Sequence, residues 1–320
     1  MSSNDADSEF SSPLLVGDPC EKPIKHPNPS SDTREEILAQ SWTTVAAGYE
    51  QSLVPRFASW TDDALNALRA ALKDTRNDAA TSCHSDDDPQ KALVLCCGPG
   101  QELVPIAKLV GPDAFVLGID LAPGMVEAAK RRVQAECRDN ADSNNIAIRV
   151  GDAGSPPPGP YSVIFSAFGL QQLPKPINAI KEWIKVLQPS GIGVVMYWSP
   201  SAPPIPGEED GPFERWSEIL NKKLGKEDED NPPWDGDIAG AAEEAGSDIL
   251  EDTYIVHSME FANPGQFFDI MSRAGPWHAM RLRRGDEFVN DLGKEFQAMY
   301  PVGEPLSNRF TARMLVLRRR

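Results

Sequence analysis

Two glycines and two acids define the chemistry open to this chain. Ala92–Leu103 reads ALVLCCGPGQEL, an apolar run followed by a turn that holds Gly98 and Gly100. Ala114–Leu121 reads AFVLGIDL, a second apolar run ending in Asp120, 20 residues after Gly100. A glycine turn at the carboxyl end of a strand lets the backbone approach a ligand closely. An acid at the end of the next strand is placed to accept hydrogen bonds from ribose hydroxyls. Asn145–Gly154, NIAIRVGDAG, sets Asp152 just past a third run. There a carboxylate can accept from an adenine amino group while a neighbouring backbone N–H meets a ring nitrogen. Together these residues predict a site for an adenosine-containing cofactor.

Such residues need a parallel sheet to bring them together. Strand patterns at 91–96, 115–120, 146–150, 161–166 and 192–198 alternate with helical patterns at 101–110, 123–138 and 176–187. Two further strands are expected at 253–261 and 311–317, so the prediction is an α/β fold with a doubly wound, mostly parallel seven-stranded sheet. Upstream, Asp32 with Glu35 has the pattern of an N-cap and its capping-box partner, opening a helix to about 47. A second helix is expected over 62–73. Residues 1–31, rich in Ser, Pro and Asp, predict a disordered tail, and 76–90 a surface loop. Residues 199–248 break the strand–helix rhythm and read as an insertion with short helices near 212–224 and 237–245. Helices near 264–274 and 286–299 complete the pattern.

Composition narrows the partners. The chain has 320 residues, with 31 Lys and Arg against 48 Asp and Glu, a net charge of -17. That balance argues against a nucleic-acid surface or an anionic membrane surface. The five cysteines, Cys20, Cys83, Cys96, Cys97 and Cys137, are too few and too irregular for a disulfide framework or a zinc site. No metal-ligand spacing occurs. No apolar run approaches the roughly 20 residues of a membrane span. The opening MSSNDADSEF lacks the features of a secretory or transit signal, so a cytoplasmic protein is expected.

Two more segments discriminate between cofactors: Tyr161–Pro176, YSVIFSAFGLQQLPKP, and Ile177–Trp198, INAIKEWIKVLQPSGIGVVMYW. In this order and spacing, the segments resemble class I S-adenosylmethionine-dependent methyltransferases, in particular the small-molecule branch typified by ubiquinone and menaquinone biosynthesis. The resemblance is good over Trp42–Trp198 and weaker beyond. It implies a Rossmann-like methyltransferase domain over 91–320 with insertions at 199–248 and 262–300, closed by an N-terminal helical lid over 32–75. It also implies S-adenosylmethionine as cofactor, a small-molecule substrate and in-line displacement. By that resemblance, Cys97, Gly98 and Gly100 line the methionine part of the cofactor, and Asp120 holds the ribose. Leu121 and Met125 pack on the adenosine, and Asp152 and Ala153 read the adenine edge. Ser166 and Phe168 sit beside the methionine moiety with Gln171 nearby, and Trp42 and Tyr49 lie on the closing helix. The family has an acid where this chain has Val94 and a glycine where it has Cys96. That acid normally helps bind the cofactor's amino group, for which Glu102 is a partial substitute.

Blander roles stand beside these. Trp42 and Tyr49 share a helical face and suit a core; Asp152 suits a turn; Cys96 and Cys97 suit buried packing. His257 and His278 are the residues of a type suited to general-base work, or else structural histidines. Trp198, Phe213, Trp216, Phe267, Phe268 and Trp277 are candidate walls of an apolar substrate pocket. Two other functions remain: a non-catalytic cofactor- or partner-binding protein, and a nicotinamide-dependent oxidoreductase. The second has Leu103 in place of the third glycine of its fingerprint, and leaves Gly151–Ala153 without a role. The acceptor, the atom methylated and the oligomeric state stay open.

Overall fold

Alternate residues of the first strand are apolar on both sides, which places it inside a sheet covered on two faces. In the computed structural model, which describes residues 34–79, 90–137, 145–207, 211–225 and 233–320, that strand is β1 (Lys91–Leu95). Ala92 and Val94 enter one core; Leu93 and Leu95 enter the other. The remaining strands are β2 (Phe115–Asp120), β3 (Ile146–Val150), β4 (Tyr161–Ala167), β5 (Leu187–Trp198), β6 (Ser247–Phe261) and β7 (Leu306–Arg319). Their order across the sheet is β3-β2-β1-β4-β5-β7-β6. β1 to β5 pair in parallel, and β7 runs antiparallel between β5 and β6. This is the doubly wound, mostly parallel seven-stranded sheet the sequence predicts.

Helices α3 (Leu103–Val110), α4 (Pro123–Glu136) and α5 (Pro176–Val186) follow β1, β2 and β4. Pro123 and Pro176 each open their helix at the first turn, where a missing N–H costs nothing. Two N-terminal helices, α1 (Arg34–Ser52) and α2 (Val54–Ala79), are longer than their periodicity suggested. α2 therefore takes in residues 76–79, expected in a loop. The predicted tail, the predicted N-cap Asp32 and most of the 76–90 loop lie outside the described residues.

After β5 come α6 (Pro212–Leu224) and α7 (Ile238–Glu244), close to the expected spans. Then follow α8 (Pro264–Met271), α9 (Gly275–Arg284) and α10 (Asp286–Gln297). The sequence reading had no helix at α9. β6 and β7 also begin well before the predicted 253 and 311, as a long antiparallel ladder from Ser247↔Arg319 to Phe261↔Leu306. Residues 189–191, between the predicted helix at 176–187 and strand at 192–198, form an irregularity within β5. Tyr161 pairs with Leu187 and Val163 with Ile192, so the intervening residues bulge out.

The strand order reverses between β1 and β4. In open α/β sheets the crevice beyond the carboxyl ends of the strands at this switch point is where ligands bind. The segment after β1, Cys96–Gly100, and the segment after β4, Phe168–Gly169, meet there. Gly169 is needed for that meeting, because a Cβ on it would lie 2.3 Å from the Cβ of Cys96.

Candidate active site

Beyond β1 the chain turns back through Gly98 and Gly100, both at positive φ. The two glycines do different work. A Cβ on Gly98 would meet nothing, so its backbone faces open space, whereas one on Gly100 would lie 2.8 Å from the Cβ of Ala129 in α4. Gly98 borders the crevice; Gly100 lets the turn pack on a helix.

The Gly98 N–H donates to Oδ2 of Asp120 at 2.9 Å, and the Ala122 N–H donates to Oδ1 at 2.9 Å. The carboxylate at the end of β2 is thus fixed by two backbone donors from both sides of the crevice. Burial raises its pKa, and the two N–H bonds hold the rise in check. At the end of β3, Oδ1 of Asp152 accepts from Gly154 N–H at 2.7 Å, the turn-forming role weighed above, while the residue also lines the crevice. Ala153 is anchored from behind, its carbonyl accepting from Trp183 Nε1 of α5 at 2.7 Å.

The crevice brings together Trp42, Tyr49, Gly98, Asp120, Leu121, Met125, Asp152, Ala153 and Phe168. It omits four residues carried over from the resemblance. Cys97 is buried beneath the turn, close to Gly118, and Cys96 takes the place on the wall. Gly100 faces α4. Ser166 is fully buried behind the wall, with its Oγ unpartnered among the described residues. Gln171 lines a neighbouring cavity instead. Burial pushes both cysteine thiols well up, with Asp120 adding to the effect, so they are neutral packing groups and not thiolate nucleophiles.

Cys96 and Phe168 both have positive φ, 52 and 59 degrees. A bulky residue in that region is a backbone outlier, and such strain concentrates at ligand sites. Strand patterning carries no signal for it. Pro99, Gln101, Gly169, Gln172 and Leu173 also line the crevice and were missed. They lie beside predicted motif residues, and only the turn geometry turns them inward.

A second cavity of about 470 Å³ adjoins the first, sharing Trp42, Tyr49, Phe168 and Gln172 as a common collar. An aromatic series runs through it: Trp42 edge-on to Tyr49 at 5.1 Å, Phe57 against Phe168 at 5.0 Å, and Phe168 stacked on Trp198 at 4.3 Å. Phe213, Phe310, Trp277, Met259 and Met271 extend the apolar wall, with Glu214 and Arg309 as its charged groups. Of the predicted wall residues, Trp198, Phe213 and Trp277 line this cavity. Trp216 and Phe267 are instead fully buried, and Phe268 packs against that core over Gly293.

Neither expected general base reaches these cavities. His257 on β6 bonds through Nε2 to Asp63 of α2 at 2.7 Å and packs edge-on against Trp60. His278 on α9 lines neither cavity, and burial together with Arg281 lowers its pKa. Tyr49, which lines both, is a neutral phenol: burial, Glu102 and Asp120 all raise its pKa. Among the described residues no cluster of His, Cys, Asp and Glu could hold a metal ion, and no helix is long and apolar enough to cross a membrane.

The fold and crevice define a doubly wound domain with a crevice at the switch point of its sheet, and comparison with known proteins shows what it is similar to. Residues 92–191 match the family model for the methyltransferase domain. The demethylmenaquinone methyltransferase of Staphylococcus aureus strain JH9 is 32% identical over 117 residues, 36% of this chain and 46% of that protein. The chain thus matches about half the length of this curated relative. Among solved structures, the phospholethanolamine N-methyltransferase 2 of Haemonchus contortus aligns with a TM-score of 0.49 at 14% identity, over 92% of this chain and 61% of that one. The geranyl diphosphate C-methyltransferase of Streptomyces coelicolor aligns with a TM-score of 0.41 at 14% identity, over 72% and 73%. Over residues 92–191 the chain is similar to methyltransferase domains, and over 117 residues to demethylmenaquinone methyltransferase, in line with the resemblance its motifs carry.

Proposed function

We propose that this chain transfers a methyl group from S-adenosylmethionine to a small, partly apolar metabolite in the cytoplasm. The observation that carries the reading is the pair of adjoining cavities, one polar at Asp120 and Asp152, the other aromatic, joined through a shared collar. The first fits an adenosine-containing sulfonium. It offers two carboxylates at the ends of β2 and β3, apolar faces at Leu121 and Met125, and open space over Gly98. The net charge of -17 supports a small-molecule acceptor over a nucleic acid.

Bound S-adenosylmethionine supplies an electrophilic methyl group on a positively charged sulfur. The chain's contribution is placement. Asp120 holds the ribose hydroxyls, and Asp152 with the backbone beside Ala153 reads the adenine edge. The collar of Trp42, Tyr49 and Phe168 surrounds the line between the cavities and excludes water from it. The aromatic wall of the second cavity holds the acceptor with its nucleophile facing the collar. Such alignment supplies several kcal/mol of a displacement barrier without a reacting side chain.

α1 acts as the lid. It lies across the mouth of the crevice through Glu35, Leu38, Ala39 and Trp42 and narrows it to about 100 Å³. The test is methyl transfer from labelled S-adenosylmethionine to a panel of flat, apolar acceptors. The reading predicts label in at least one acceptor, together with cofactor binding. A protein that does not bind the cofactor contradicts it.

A further inference from the structure

Resting on that reading, we infer that Gln101, held in place by Glu102, is the acceptor for the ammonium group at the amino-acid end of the cofactor. The acid expected in β1 is absent: Val94 stands there, 1% exposed within the core. Gln101 follows Gly100 directly and lines the crevice. Its Nε2 donates to Oε1 of Glu102 at 2.8 Å, and its own Oε1 is buried with no partner among the described residues. The bond to Glu102 uses the donor end of the amide and leaves the acceptor end unsatisfied. A buried carbonyl oxygen without a donor is costly, and an ammonium, with three donors and no acceptor, is its complement.

Glu102 supplies the charge. It is 3% exposed, and burial pushes its carboxyl up to about 7 against the pull of Gln101 and Arg132. The ionisable groups that interact with it are Arg132 of α4, Tyr49 of α1 and Cys97. Arg132 is engaged by Glu50 of α1 and by the Pro99 carbonyl. Tyr49 and Cys97 are kept protonated by the same burial. Glu102 therefore changes charge near neutrality, and a cation bound one hydrogen bond away favours its ionised form.

Calorimetric titration of the full chain with S-adenosylhomocysteine and with methylthioadenosine, which lacks the amino-acid tail, tests this. Titrations run from about pH 5.5 to about pH 7, where an α-amino group stays largely charged. Gln101→Ala is expected to weaken S-adenosylhomocysteine about ten- to a hundredfold, the loss of one charged hydrogen bond, and to leave methylthioadenosine unchanged. Wild type should bind S-adenosylhomocysteine more tightly as pH rises, and Glu102→Gln should abolish that rise. Variants that weaken both ligands equally, or neither, overturn the inference and leave the methyltransferase reading standing. A wild-type chain that binds neither ligand overturns both.

Discussion

Glu102 shows what burial does to a single carboxyl. Its folded pKa, about 7, lies above the ordinary 4.5. Between those values the unfolded chain loses the proton and the folded chain keeps it, so stability falls as pH rises through that window and then levels off. The group accounts for a decline of up to about 3 kcal/mol. Urea midpoints at the two ends of the window should show it, and Glu102→Gln should flatten the slope; an unchanged slope contradicts the burial argument. The histidines make the converse prediction. His257→Ala and His278→Ala should each leave cofactor affinity within about twofold of wild type, because neither lines a cavity. Residue types and spacing made Asp120, Asp152 and Gly98 legible. They could not show that Cys96 rather than Cys97 reaches the wall, because the positive φ at Cys96 breaks the strand alternation that would assign the two side chains to opposite faces.

At the scale of elements, the proposed lid depends on one close contact. α1 packs on α4 and α9, and a Cβ on Gly275 at the start of α9 would lie 2.3 Å from the Trp42 indole. Gly275→Ala should push Trp42 and α1 off the crevice. The expected cost is about 1–3 kcal/mol of overpacking, with weaker cofactor binding beside it, read by thermal unfolding and calorimetry on the same sample. Unchanged affinity would detach Trp42 from the site. The helices of the βα units were legible because each buries one apolar stripe on the sheet. α9 was not: its sequence, GPWHAMRLRR, buries only Gly275 and Ala279. It is held where it is by α1, a contact between segments more than 200 residues apart.

Across the whole molecule, a buried polar knot ties the region after α6 to the sheet. Arg313 of β7 donates to both carboxylate oxygens of Asp252 on β6 at 2.8 Å, and to the Asp235 carbonyl at 2.9 Å. Fully buried Asp235 in turn accepts from Ser199 and Ser201 just beyond β5. Arg313→Ala should cost about 1–3 kcal/mol, since it removes the guanidinium beside fully buried Asp235 while exposed Asp252 passes to water; a drop well below about 1 kcal/mol in chemical denaturation would contradict it. The knot was illegible in sequence, because its members are scattered from Ser199 to Arg313 and meet only once β7 has inserted between β5 and β6. The parallel half of the sheet was legible because its apolar runs and turns are local.

The central claim is that the switch-point crevice binds S-adenosylmethionine through Asp120. Calorimetric titration of wild type and Asp120→Ala with S-adenosylmethionine, and separately with NADH, tests it most directly. The account predicts micromolar binding of S-adenosylmethionine by wild type, its loss in Asp120→Ala, and no binding of NADH. Wild-type binding of NADH instead, or S-adenosylmethionine affinity unchanged in Asp120→Ala, would contradict it.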